Sequence, residues 1–220
     1  MTDASFLDTG VALGYCFRDD THHYRCREYL EENGFSLYIS DHVEDEYLNR
    51  EPDLAEEIAD AIRDHIFQLQ NSDYEGQLDS MDTSQIRQNM VSGNNNASTS
   101  LHEFYRNQLP NFIQVEELIK RLRELARDIE QNAIENRQWL LARTEIWSRE
   151  NDYSEIDESL SEVPWDDRRI CLDAHDVVEQ TGEITELATV NPRDLVDEGY
   201  RELILGQTAL EDVVSLAVRS

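Results

Sequence analysis

The chain has 220 residues, enough for one generous domain or for a compact domain carrying a large insertion. Its 48 Asp and Glu against 19 Lys and Arg give a formal net charge of −29, and Lys120 is the one lysine among those cations. That balance excludes a basic nucleic-acid surface spread over the whole molecule and leaves room for a local one.

In chain order, Ser5–Asp8 reads as a strand that runs into a helical stretch around Val11–Phe17. Thr21 opens a second helix, with Tyr24, Tyr29 and Leu30 among its apolar members, and Asn33-Gly34 closes it. Phe35–Ile39 is a short aromatic and β-branched strand, and Ser40 is the N-cap of a helix through Asn49. Strand–helix–strand–helix argues for an α/β layer with a parallel sheet.

Residues 51–163 read as an all-helical middle. Pro52 stands near the start of a helix with Leu54, Ile58, Ile62, Ile66 and Leu69 on one face, and residues 71–100 read as a polar loop with at most one short helix. From Phe112 a long helix is expected to run to Glu150, with Val115, Leu118, Leu122, Leu125 and Ile129 forming a coiled-coil-like seam. The expected result is an antiparallel helical hairpin, an arm for packing or homodimerisation. Residues 113–150 hold seven cations against eight acids, so nearly all the net charge lies elsewhere. Lys120, Arg121, Arg123 and Arg127 are therefore candidate phosphate-gripping residues, although i,i+4 ion pairs such as Lys120–Glu124 account for the same pattern.

The α/β pattern resumes with a helix from Trp165 to Thr181, stopped by Gly182, and a strand over Ile184–Val190. Arg201–Leu205 reads as a short edge strand, and Thr208-Ala-Leu-Glu211 as a capping box opening a last helix through Val218. The discontinuous core is thus residues 1–50 and 164–220.

The acids interleave with apolar residues at helical spacing, which indicates a folded chain despite a hydrophobic content of 39%. Self-repulsion on this scale is relieved in molar salt, where the Debye length falls to about 3 Å. Dense carboxylates with almost no lysine resemble the proteins of extreme halophiles. No run approaches a membrane span, and no basic-then-apolar leader opens the chain, so a cytoplasmic protein with no membrane partner is expected. Cys16, Cys26 and Cys171 are read as free buried thiols; His22, His23 and Cys26 lack the second cluster that zinc requires.

With 48 acids, most carboxylates simply face solvent. A few stand where an open parallel sheet gathers its ligands, at strand ends and the helix starts beside them. Asp8 ends the first strand, and Asp194 follows the strand ending near Val190. Asp167 shares a helix stripe with Ile170, Ala174, Val177 and Val178, whereas Asp166, Asp173 and Asp176 point away from it. Glu46 shares a face with Val43 and Tyr47, one turn after His42. Oxygen-only ligands of this kind suit Mg²⁺ or Mn²⁺, which orient and activate a water.

These residues carry a resemblance. Phe6-Leu-Asp-Thr-Gly-Val-Ala-Leu13 resembles the opening strand and first acid of the PIN-domain nucleases. Ser40-Asp-His-Val-Glu-Asp-Glu46, Asp167-Arg-Arg-Ile-Cys-Leu-Asp-Ala174 and Thr189-Val-Asn191-Pro-Arg-Asp194 are similar to their second, third and fourth motifs, in the same order. The resemblance spans residues 4–50 and 164–218. It implies a PIN-like three-layer α/β core with a long helical insertion. It also implies a metal-dependent endonuclease acting on RNA, with DNA as the alternative, as in toxin–antitoxin ribonucleases that pair with an antitoxin-like protein. The implied catalytic and metal-binding residues are Asp8, Glu46, Asp167 and Asp194, with Thr9 and Asn191 as hydrogen-bonding support.

The rival reading is a catalytically silent PIN-like scaffold that binds a partner through its helical arm. Asp8-Thr9-Gly10 also spells the aspartic-protease triplet, but the chain is mainly helical and has no second such triplet. An Asp-x-Asp phosphatase fails because Gly10 occupies the second Asp position.

Overall fold

The computed structural model describes residues 2–18, 20–91, 96–197 and 199–218. In chain order its elements begin β1 (Ala4–Leu7), α1 (Thr9–Cys16), α2 (His23–Glu32), β2 (Ser36–Ser40) and α3 (Asp41–Gln70). They continue with β3 (Gln77–Asp79), α4 (Ser80–Met90), α5 (Asn96–Asn107), β4 (Phe112–Gln114) and α6 (Val115–Leu141). The chain then forms β5 (Thr144–Trp147), α7 (Ser154–Ser159), α8 (Trp165–Thr181), β6 (Thr185–Thr189), α9 (Pro192–Leu195), α10 (Tyr200–Gln207) and β7 (Asp212–Ser215).

The chain divides into two compact units: Met1–Cys16, Thr21–Arg50 and Asn136–Ser220 form one, Phe17–Asp20 and Glu51–Glu135 the other. The first unit is α/β. Its five-stranded sheet has the order β5-β2-β1-β6-β7, and every pairing is parallel. From β1 the chain steps outward through β2 to β5, then returns across the sheet to β6 and steps outward again to β7. The right-handed crossover rule sends these two sets of connections to opposite faces, which is consistent with a three-layer α–β–α fold. β1 and β6 are buried along their whole length, as strands covered on both faces must be. Phe6, Leu7, Ile39 and Leu187 are fully enclosed, each worth roughly 1.5–3 kcal/mol of burial.

In the second unit α3 and α6 run antiparallel: Arg63 bonds Glu130 at 2.7 Å, and further along α3 Ile66 shares a notch with Arg123 and Ala126, earlier on α6. Ile58, Ile62, Leu69, Ile86, Leu118 and Leu122 form its core. β3 and β4 pair as a short antiparallel ribbon.

Several sequence expectations are corrected. α3 does not stop at Asn49; it runs for 30 residues with Pro52 inside it, exposed on the surface. Residues 71–100 are not mainly loop. Asp79 starts α4 with a true capping box, accepting from Met81 and Asp82 at 2.7 and 3.0 Å while Asp82 accepts from the Asp79 amide. The Ser92–Asn95 part of the expected polar run lies outside the described residues.

The helix expected to reach Glu150 ends at Leu141, and Thr144–Trp147 becomes a strand by pairing with Leu37–Ser40. Residues 136–163, placed with the helical middle in the sequence reading, lie in the α/β unit. Leu125 and Ile129 are only half-buried, because the inward stripe of α6 drifts to Ile119, Ala126 and Ala133, as a 3.6-residue period dictates. Near the C-terminal end the two expected elements exchange identity. Residues 200–207 are helical after Gly199 in the left-handed conformation, and Asp212–Ser215 is a strand beside β6.

Candidate active site

The order of strands reverses between β1 and β6, since β1 leads outward to β2 and β6 leads outward to β7. At such a switch point the connections diverge and leave a crevice at the carboxyl ends of the strands. Asp8 is the first residue after β1, and its amide donates to the Ala188 carbonyl at 3.1 Å, which ties it to β6. Val11 and Ala12 donate to the Asp8 carbonyl, so Asp8 also opens α1. The close approach requires Gly10: a Cβ there would stand 2.5 Å from Val190 Cγ2.

A cleft of about 510 Å³ opens at this point, with Asp8, Glu46, Arg50, Asp166, Asp167 and Asn191 in its wall. Asp8 is 8% exposed, and burial holds its carboxyl above the usual range while the Thr189 hydroxyl, donating to Oδ2 at 2.8 Å, opposes that shift. The same Thr189 oxygen accepts from the Asn191 amide at 2.9 Å, and the Asn191 side chain donates to Asp194. Thr189 thus links the acid after β1 to the acid of α9. Across the cleft the Thr9 hydroxyl donates to Glu46 Oε2 at 2.7 Å, and Arg50 donates to Oε1 at 3.0 Å.

Asp167 shows that the four acids share one field. Its carboxyl is pushed up to about 6, first by burial and then by the charges of Asp8, Asp194, Asp166 and Glu46. Four segments distant in sequence therefore bring their carboxylates into mutual electrostatic reach. Among the described residues no three carboxylate, imidazole or thiol groups form a ready-made metal cage.

Three participants escaped the sequence reading. Arg50 stands one helical turn beyond Glu46, a spacing at which a pair on one helix meets. Asp166 lines the cleft and adds to the field at Asp167, although its helix angle from the Asp167 stripe predicts that it turns away. Thr189 stood inside a motif quoted for Asn191 and Asp194. α8 is also buried all round between Ile170 and Val177, so Asp173 and Asp176 are internal and structurally engaged: Asp173 pairs with Arg149 at 3.1 Å, and Asp176 accepts from three side chains.

The other sequence candidates lie elsewhere. His22 accepts from the Val218 amide and His23 bonds the Gly14 carbonyl, so both imidazoles serve the backbone. All three cysteines are buried, and none is in a disulfide. In the second unit Lys120 lies 4.0 and 3.9 Å from Glu117 and Glu124, and Arg121 bonds Glu117 at 3.1 Å. Arg123 and Arg127 line a notch beside Arg63. Among the described residues no helix is long and apolar enough to cross a membrane.

No protein-family profile, curated protein or solved structure matches this chain.

Proposed function

We propose that the chain is a PIN-like, divalent-metal-dependent endonuclease that hydrolyses RNA, its second unit being an insertion in the α/β core. The observation that carries this reading is the convergence of Asp8, Glu46 and Asp167 on one cleft at the sheet's switch point, with Asp194 behind the lining Asn191 and within electrostatic reach of Asp167. The four-motif resemblance supplies the reaction class and favours RNA over DNA.

The donor set fits the metal. It is all oxygen, crowded with like charge and strongly desolvated at Asp8. Mg²⁺ in such sites is held by one or two carboxylates plus waters, so a closed protein cage is unnecessary. Asp8, Asp167 and Asp194 would hold the ion, with Glu46 as a further acceptor beside them. When bound, Mg²⁺ or Mn²⁺ supplies Lewis-acid charge and lowers the pKa of an attacking water. The chain's own part is positional: Thr189 fixes the Asp8 carboxylate, Asn191 orients Asp194, and Thr9 orients Glu46.

The test is cleavage of labelled single-stranded RNA and DNA in molar KCl with Mn²⁺ or Mg²⁺. RNA is expected to be cut, and Asp8→Asn to lower the rate by about 10³-fold. Absence of cleavage of both polymers with either metal refutes the proposal.

Arg50 provides a second expectation. Among the described residues that line the cleft it is the one Lys or Arg, and it holds Glu46. Arg50→Ala should raise KM for RNA about tenfold, through loss of a phosphate contact worth about 1.4 kcal/mol. The same change should tighten Mn²⁺ binding, because a competing internal cation is removed from Glu46. Calorimetric titration and steady-state kinetics read the two effects separately, and a purely structural Arg50 would show neither.

A further inference from the structure

The second unit carries a cationic feature that the acid cleft does not use. Arg63 on α3 and Arg123 and Arg127 on α6 line a notch of about 210 Å³ together with Glu130, over a floor of Ile66 and Ala126. The floor residues are 6% and 4% exposed. The notch is smaller than the roughly 300–1,000 Å³ of pockets that enclose whole drug-sized ligands, a size for a single anionic group.

Arg63 is anchored, with Nη1 on Asp60 at 2.6 Å and Nη2 on Glu130 at 2.7 Å. That uses two of its five N–H donors and fixes the plane of the guanidinium. Arg123 and Arg127 have no carboxylate within ion-pair distance among the described residues, although the chain holds 48 acids. Glu124 and Glu130, each one turn from Arg127, lie against Lys120 and Arg63 instead. Two unpaired arginines one turn apart repel each other and weaken the helix slightly. An anion seated between them removes that penalty. The apolar floor keeps water from one side and strengthens the attraction.

We propose that Arg63, Arg123 and Arg127 form an anion site that grips a backbone phosphate of single-stranded RNA. The choice of RNA rests on the proposed function; the anion chemistry does not. Three planar forks around one small notch suit a phosphate, which offers oxygens in several directions, better than a carboxylate, which offers two. The four-cation cluster read from sequence is thereby divided: Lys120 and Arg121 serve the helix itself, while Arg123 and Arg127 are directed at a ligand.

The experiment is fluorescence anisotropy of a short labelled single-stranded RNA in chelating buffer, across about 0.3–2 M KCl. The unsubstituted chain should bind with a salt-dependent Kd. The double variant Arg123→Ala/Arg127→Ala should bind about tenfold or more weakly, with a log–log salt slope smaller by about 1.4, the share of two lost phosphate contacts on a single strand. Arg123→Lys/Arg127→Lys should restore the slope but only part of the affinity, since a point charge lacks the fork. Equal binding by the alanine variant, or no RNA binding by the unsubstituted chain, overturns the proposal. Tighter, arginine-dependent binding of poly-glutamate than of RNA also overturns it, in favour of an acidic peptide. RNA binding by the unsubstituted chain without cleavage in Mn²⁺ or Mg²⁺ faults the nuclease reading and leaves the anion site standing.

Discussion

Asp167→Asn is expected to stabilise the chain in chelating buffer at neutral pH and to abolish its response to divalent cations. The carboxyl is pushed from 3.8 up to about 6 by burial and by four neighbouring acids. A carboxyl raised in this way binds its proton more tightly in the folded chain than in the unfolded one. Its contribution to stability is fully present below pH 3.8 and is lost as pH rises through about 6. The loss amounts to about 3 kcal/mol at pH 7 and above. Asparagine keeps the shape without the charge, so urea unfolding at pH 7.5 should show the variant more stable by that order, and the difference should vanish near pH 4. Adding Mn²⁺ should stabilise the unsubstituted chain and leave the variant unchanged. A variant that is less stable at pH 7.5, or that keeps the full response to Mn²⁺, would show that Asp167 is not part of a strained carboxylate cluster.

Asp176→Ala should have the opposite sign, destabilising the α/β unit by about 3–5 kcal/mol. Asp176 is 1% exposed and accepts from Trp147 Nε1 at 3.0 Å, Asn151 Nδ2 at 2.9 Å and the Tyr153 hydroxyl at 2.6 Å. Burial alone would raise its carboxyl, but hydrogen bonds from Tyr153, Asn151, Trp147 and Gln180 outweigh it and hold the carboxyl below its usual range. Its contribution is therefore present above pH 3.8 and is lost as pH falls through the folded value. The alanine variant takes the acceptor from Trp147, Asn151 and Tyr153 and frees the segment after β5 from α8. Urea unfolding should report the loss, and the fluorescence of Trp147 should shift to that of a wetter indole. A change below 1 kcal/mol would show that the three donors find water as readily as the carboxylate.

These two acids illustrate what was legible in the sequence. Asp167 is legible because it lies in the first turn of its helix on the stripe of Ile170, Ala174 and Val177, a pattern that local sequence conveys. Asp176 was set aside because its helix angle faces away from the stripe of Ile170 and Ala174, an argument that fails when a helix is enclosed on every side. The strands divide in the same way. The three central ones, β1, β2 and β6, are buried almost throughout, and all three are legible from their own residues. The two edges, β5 and β7, were not. Thr144–Trp147 and Asp212–Ser215 are short and mostly half-exposed, and what makes them strands is pairing with Leu37–Ser40 and Glu186–Thr189. Nothing local conveys that partnership, so Thr144–Trp147 merged into the preceding helix, and the capping-box spelling at Thr208–Glu211 suggested a helix where the chain pairs with β6. Asp8, Glu46, Asp167 and Asp194 were legible as a set because each sits beside a central strand or a well-marked helix start. Arg50 and Asp166 were not, because what distinguishes them is the cleft they line.

The position of β6 beside β1 also sets a clock. Ala4 pairs with Ser36 on one side and with Thr185 on the other, so β1 waits for a strand far later in the chain before its second edge is covered. Asp167 and Asp194 lie 159 and 186 residues after Asp8. At roughly 5–20 residues per second, about 10–40 s separate the synthesis of Asp8 from that of Asp194. Until then the nascent polypeptide can shape its amino-terminal strands and its helical unit, but it has no cleft. Contacts so distant in sequence also predict slow closure of the sheet.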